Sequence, residues 1–340
     1  MESASLRNAR RRSGSMIFRA IATSGLAMFV MMGPCSAQPI ARIATIDLPG
    51  VKGRIDHLSA DPAHHRLFVA ALGNDTVEVV DTVTSEVRTI RGMREPQGLF
   101  YVSDLDRLVV ANAGGGVDLV DAVSLTTLMH ISGMDDADNV RYDERSRIAW
   151  VGFGAGALRA LDPSNGTRRG EIALPGHPES FQLEQTGNRV FVNVPSAHAV
   201  IVVDRVTHRA IARWETPWAT QNYPMALDEA EGKLFVGARS PPVLLVYDVE
   251  TGSAVARVPL GNDADDVFFD GEQRRLYVIC GEGKVDVIGV HSHHRYAVEA
   301  SIDTAPRART GLFVAAERRL YVAAPAVGTS PARLLVYRTS

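Results

Sequence analysis

The chain has 340 residues, 46% of them hydrophobic and 22% charged, enough to bury a large core and far from the composition of disordered chains. A formal net charge of −3 argues against nucleic acid as a main partner. No Cys-x-x-Cys-His, no glycine-rich phosphate loop opening a helix and no Gly-x-Ser-x-Gly elbow occurs, so covalent haem, that mode of nucleotide binding and serine-elbow hydrolysis have no sequence support.

Arg7, Arg10, Arg11 and Arg12 precede an apolar stretch, Ala20 to Met32, too short to span a bilayer as a mature helix. That layout predicts a secretory signal over residues 1–37, cleaved after Ala37, and hence a periplasmic or secreted protein with no transmembrane span once the signal is gone. Pro34 before Cys35 speaks against a lipid-anchoring motif, and a start at Met16 would leave a signal of the same layout. The segment holds five arginines and one glutamate, so the remainder carries −7. Cys280 is then the only cysteine, no internal disulfide can form, and packing must supply the stability.

Ala41 to Leu48 reads as a strand without an evident neighbour. Beyond it one phrase recurs, as Arg66-Leu-Phe-Val-Ala-Ala71, Arg107-Leu-Val-Val-Ala-Asn112, Arg147-Ile-Ala-Trp-Val-Gly152, Arg189-Val-Phe-Val-Asn-Val194, Lys233-Leu-Phe-Val-Gly-Ala238, Arg275-Leu-Tyr-Val-Ile-Cys280 and Arg319-Leu-Tyr-Val-Ala-Ala324. Seven copies spaced 40 to 44 residues apart mark a repeat architecture. Each unit reads as four strands separated by turn signals such as Asp61-Pro62 and Gly73-Asn74, with no helix-period segment between them. Asp81, Asp121, Asp162, Asp204 and Asp248 end third strands, where an aspartate bonds nearby backbone amides.

The last unit has three strands before Ser340, and the strand 41–48 supplies the fourth. The predicted fold is therefore all-β: one domain over 38–340, a seven-bladed propeller of four-stranded antiparallel blades, its ring closed by the N-terminal strand in the last blade. A monomer is expected. The phrase with its Leu-Tyr-Val or Leu-Phe-Val core, followed in the first unit by Thr76-Val-Glu-Val-Val-Asp-Thr82, resembles the bacterial YVTN-family propeller repeat over nearly all of residues 38–340. The resemblance implies a ring of the WD40-like or quinoprotein-dehydrogenase-like kind, often exported, with mixed functions and no fixed catalytic motif to carry over.

Propeller ligands sit at one mouth of the central channel, ringed by the connections from one blade's outer strand to the next blade's inner strand. Aligning those connections puts Asp56, Gln97, Asp138, Glu179, Tyr223, Asp265 and Thr310 at one position, then His57, Gly98, Asn139, Ser180, Pro224, Asp266 and Gly311 at the next. Like charges gathered this way are stable around a cation or arginine. Asp56, Asn139, Glu179 and Asp265 are the candidate ligands of a divalent ion such as Ca²⁺ or Mg²⁺; hydrated side chains at a water-filled mouth are the other reading. Basic residues including Arg54 and Arg309 face acidic ones across a lopsided rim. The longest connection, Trp214 to Pro224, adds Trp218 and Tyr223 as sugar, peptide or partner contacts.

His64, His65, His291, His293 and His294 fall in turns of the opposite face, and Cys280 ends a second strand as a buried thiol. The leading expectation is a binding or scaffold module holding a small ligand, cation, peptide or partner protein at the mouth. The alternative is a metal-dependent lactonase, hydrolase or lyase, analogous by fold to gluconolactonase-like and streptogramin-lyase-like propellers.

Overall fold

The structure, a computed structural model, describes residues 38–291 and 295–340; the predicted signal at 1–37 and His293 and His294 lie outside the described residues. The strands form seven four-stranded antiparallel sheets, the blades of a propeller, numbered here from the first complete repeat. Second strands such as Arg66–Ala71, Arg107–Asn112 and Arg319–Ala324 are buried almost end to end. Both of their faces meet a neighbouring blade, which is why they read as continuous β-branched and aromatic runs instead of alternating. Between blades 1 and 2, Phe68, Val77 and Ile90 pack against Leu99, Leu108 and Val120, and each adjacent pair of blades repeats the pattern. Outer strands such as Thr126–Ile131 and Arg209–Glu215 lie largely in solvent.

Ile40–Asp47 pairs antiparallel with Arg333–Thr339 as the outer strand of blade 7, one residue earlier at each end than the sequence implied. The turn aspartates behave as expected: Asp81 Oδ1 accepts the backbone N–H groups of Val83 at 2.9 Å and Thr84 at 2.7 Å, and these bonds hold its carboxyl below the usual range. No helix among the described residues is long and apolar enough to cross a membrane.

The connections between blades interlock with the turns joining second and third strands. The N–H of Gly73 donates to Arg54 O at 3.0 Å, that of Ala113 to Glu95 O at 2.9 Å and that of Gly281 to Asp263 O at 2.8 Å. Both kinds of loop thus build one face, with the predicted mouth residues on its inner rim.

Candidate functional site at the channel mouth

Inner strands are short, for example Leu58–Asp61, Val140–Asp143 and Phe181–Leu183, and the residues just before them are held by equivalent bonds. The N–H groups of Asp56, Asp138 and Glu179 donate to the carbonyls of Ala70, Gly152 and Asn193 at 2.8, 3.0 and 3.0 Å. These three carboxylates therefore share one height in blades 1, 3 and 4. The channel is tight at Gly98, where a Cβ would lie 1.9 Å from the carbonyl oxygen of Asp138; only glycine allows that approach of blades 2 and 3. Behind the mouth lies a cavity of about 200 Å³. His57, Asn139, Ser180 and Asp266 line its entrance, and Phe100, Arg141, Gln182, Met225 and Phe268 lie further along the inner strands.

His57 stands among carboxylates: Nδ1 is 3.4 Å from Asp266, and Nε2 is 3.8 Å from Asp56 and 3.9 Å from Asp138. Burial alone would lower its pKa, but attraction to Asp266, then Asp56 and Asp138, outweighs burial and pushes it up to about 10. It is an imidazolium at neutral pH. Burial, with repulsion from Asp56 and Glu179 against the pull of His57, raises Asp138 to about 7. Burial and Asp265 raise Glu179 to about 7. The mouth thus holds a fixed cation beside two carboxyls that exchange protons near neutrality. Asp266 Oδ2 accepts the N–H of Gly311 at 2.9 Å, tying blade 6 to blade 7.

Asp265 is gripped by two arginines, Arg239 and Arg309, the latter with Nε 2.8 Å from Oδ2; burial still holds its pKa up against both. Asp56 faces Arg54 at 2.7 Å. Two of the four candidate ligands, Asp56 and Asp265, are thus paired with arginine, and among the described residues no group of three His, Cys, Asp or Glu side chains is placed to hold a metal ion. The lopsided rim is partly self-neutralised through these same pairs. Three buried oxygens accept no hydrogen bond, Asp56 Oδ2, Asp138 Oδ1 and Asn139 Oδ1; the first faces Arg54 at 2.7 Å, whereas Asp138 Oδ1 has only His57 Nε2 at 3.9 Å and Asn139 Oδ1 has no charged neighbour of this kind.

Other expected residues take varied places. Gln97 is buried at the rim, and the Thr310 hydroxyl donates to Ile55 O at 3.3 Å. The Tyr223 ring lies beneath the Arg239 guanidinium, 4.0 Å from ring centroid to Cζ. Trp218 is 57% exposed, with Arg257 5.4 Å from its ring centre. Trp214 belongs to core packing, between Phe191 at 5.3 Å and Tyr247 at 5.9 Å. On the opposite face His64 bonds its own turn aspartate, Asp61, at 2.9 Å. Burial and Asp286 raise the pKa of the Cys280 thiol, consistent with a packing role.

Arg141, Gln182 and Arg239 escaped the sequence reading. The two-residue strand period, continued from Asn139 and Ser180, reaches Arg141 and Gln182 and would have found them. Arg239 lies one residue beyond the fifth copy of the repeated phrase, on a second strand lengthened to Lys233–Ser240, and carried no such signal.

No family model matches the chain, and no curated protein matches it in sequence. Solved structures do match. A chain of a mitotic checkpoint complex is 15% identical with a TM-score of 0.77, over 95% of this chain and 99% of that one. Hydrazine synthase of Kuenenia stuttgartiensis is 16% identical with a TM-score of 0.73, over 86% and 98%. At such identities the likeness supports the propeller fold and nothing finer.

Proposed function

We propose that this chain is a binding module whose channel mouth holds a small ligand rich in hydrogen-bond donors, an amine or a polyol. The observation that carries this reading is the pair of buried, donorless oxygens, Asp138 Oδ1 and Asn139 Oδ1, beside the cavity. An unmet buried acceptor costs about 1–3 kcal/mol, and a ligand N–H or O–H offsets that cost. At about 200 Å³ the cavity has room for roughly seven waters at ~30 Å³ each, which suits a small ligand better than a peptide. Carboxylates outnumber the imidazolium at the entrance, favouring cationic or neutral donors over anions.

The test is a thermal-shift series on residues 38–340 with ethanolamine, putrescine, glycerol and inositol at millimolar concentration. A rise of several degrees is expected for at least one, abolished in Asp138→Ala/Asn139→Ala. For an amine, binding strengthens from pH 6 to pH 8 as Asp138 and Glu179 ionise. No shift with any of the four, or the same shift in the double variant, would overturn the reading. The layout of residues 1–37 supports placing the module outside the cytoplasm, where N-terminal sequencing should find Gln38 first; an intact Met1 or Met16 on the mature protein contradicts it.

A further inference from the structure

A groove of about 430 Å³ lies on the face opposite the mouth, between blades 3 and 4. Trp150, from the second strand of blade 3 (Ile148–Phe153), lines it together with Arg205 and His208, from the turn after the third strand of blade 4 (Ala199–Asp204). The Arg205 side chain is 4% exposed. Its Nε lies 3.3 Å from Asp143 Oδ2 and its Nη2 donates to Gly187 O at 2.9 Å, yet Nη1 has no acceptor. The indole N–H of Trp150, also buried, has none either. Two good donors end inside the protein with nothing to bond, a costly arrangement for any fold.

The repeat supplies an internal control. At the position equivalent to Arg205, the backbone N–H groups of Thr82, Ala122, Arg205, Val249, Val290 and Thr339 all bond the neighbouring turn of their own blade; the side chains are small or apolar except in blade 4. In blade 3 Ile148, not Arg147, pairs with the end of the inner strand as Arg275 and Arg319 do in blades 6 and 7, so Trp150 is equivalent to Tyr277 and Tyr321, whose hydroxyls are satisfied: Tyr277 donates to Asp270 at 3.0 Å and Tyr321 to Glu317 at 2.6 Å. The departures in blades 3 and 4 meet in one groove. Arg145 and Arg169 also line it; Arg169 is paired with Asp162 at 2.5 Å, which leaves Arg145 and Arg205 against the single lining carboxylate Asp143, a net positive lining. Burial lowers the pKa of Arg205 even with Asp143 beside it, as expected for a cation short of negative charge.

We infer that this groove is a second binding site, separate from the channel, for an organic carboxylate with an apolar body. Arg205 and the Trp150 indole N–H are its donors, and Ile148, Ala160 and Val206 its apolar wall. A carboxylate fits better than a phosphate dianion, because one buried guanidinium and one neutral N–H match one charge and two oxygens. A free acid and the C-terminus of a peptide share this chemistry.

The test uses residues 38–340, with titration calorimetry and tryptophan fluorescence. The probes are benzoate, benzamide, and acetyl-Ala-Phe with a free or an amidated C-terminus. Benzoate or the free-acid dipeptide is expected to bind at least 10-fold more tightly than its amide, and whichever carboxylate is preferred identifies the source. Arg205→Gln should weaken that binding 30-fold or more. Because it also strips Asp143 of a partner, Trp150→Phe is the second arm, removing one N–H while keeping a ring, with an expected 5- to 10-fold loss. Binding by neither carboxylate, equal binding by the amides, or unchanged affinity in both variants overturns the inference.

Discussion

Deleting the chain through Leu48 is expected to lower the melting temperature by about 10 °C or more and to make the protein associate. The deletion removes the outer strand of blade 7 and its antiparallel ladder with Arg333–Thr339. It also removes Ile40, Ile46 and Leu48, all buried; Ile40 packs in the interface of blades 6 and 7, Ile46 and Leu48 in that of blades 7 and 1. At about 2–3 kcal/mol for each buried side chain, the loss is roughly 6–9 kcal/mol, comparable to the ~5–15 kcal/mol that holds a typical native protein together. For a domain of this size each kcal/mol moves the melting point by about 2 °C. The bared strand Arg333–Thr339 becomes an open edge that templates pairing with another chain. Calorimetry and light scattering read both effects; a truncated protein that stays monomeric and melts within a few degrees of the intact one refutes this role of the strand.

The second large effect is expected at His57. Replacing it with glutamine leaves Asp266, Asp56 and Asp138 buried without the cation they share, and losing one partner of a buried ion pair costs about 3–5 kcal/mol. The pH dependence identifies the cause. The folded pKa of His57 is pushed up to about 10, above the roughly 6.5 of an unfolded histidine, so its stabilisation is full below about pH 6.5 and lost as pH rises through 10. Asp138, raised to about 7, acts in the same direction: its folded form holds a proton that the unfolded chain has released, so stability declines as pH rises from 4 to 7. Denaturant midpoints of the intact protein should therefore fall between pH 8 and 10.5. Those of His57→Gln should start lower at pH 8, fall less steeply than the intact protein above it, where only groups such as the buried Cys280 thiol still lose stability, and recover toward pH 5 as the carboxyls protonate. A variant whose deficit is the same at pH 5 and pH 8 contradicts the electrostatic account.

The blades were legible because second strands are buried on both faces and so repeat one apolar phrase. The mouth register was legible because the backbone bonds of Asp56, Asp138 and Glu179 repeat with it. The Arg54–Asp56 pair is local, but the pairing of Asp265 was not legible, since it runs between blades. Asp265 of blade 6 is held by Arg239 from blade 5 and Arg309 from the connection into blade 7, and no spacing within one repeat announces either. That is why the arginine partners of Asp265 could not be read beside the cluster of carboxylates. Trp214 likewise packs across strands, for it sits at the end of an exposed outer strand, yet its ring reaches inward to Phe191 and Tyr247.

The ladder that closes the ring joins Ile40 to Thr339, nearly the whole length of the chain apart. Contacts so distant along the chain form late and slowly, after most loop-closure entropy has been spent. During synthesis the strand Ile40–Asp47 emerges with no partner and must wait, unpaired, until Arg333–Thr339 has been made. Blades 1 to 6 can assemble in order behind it, but the ring can lock only once the strand Arg333–Thr339 is present.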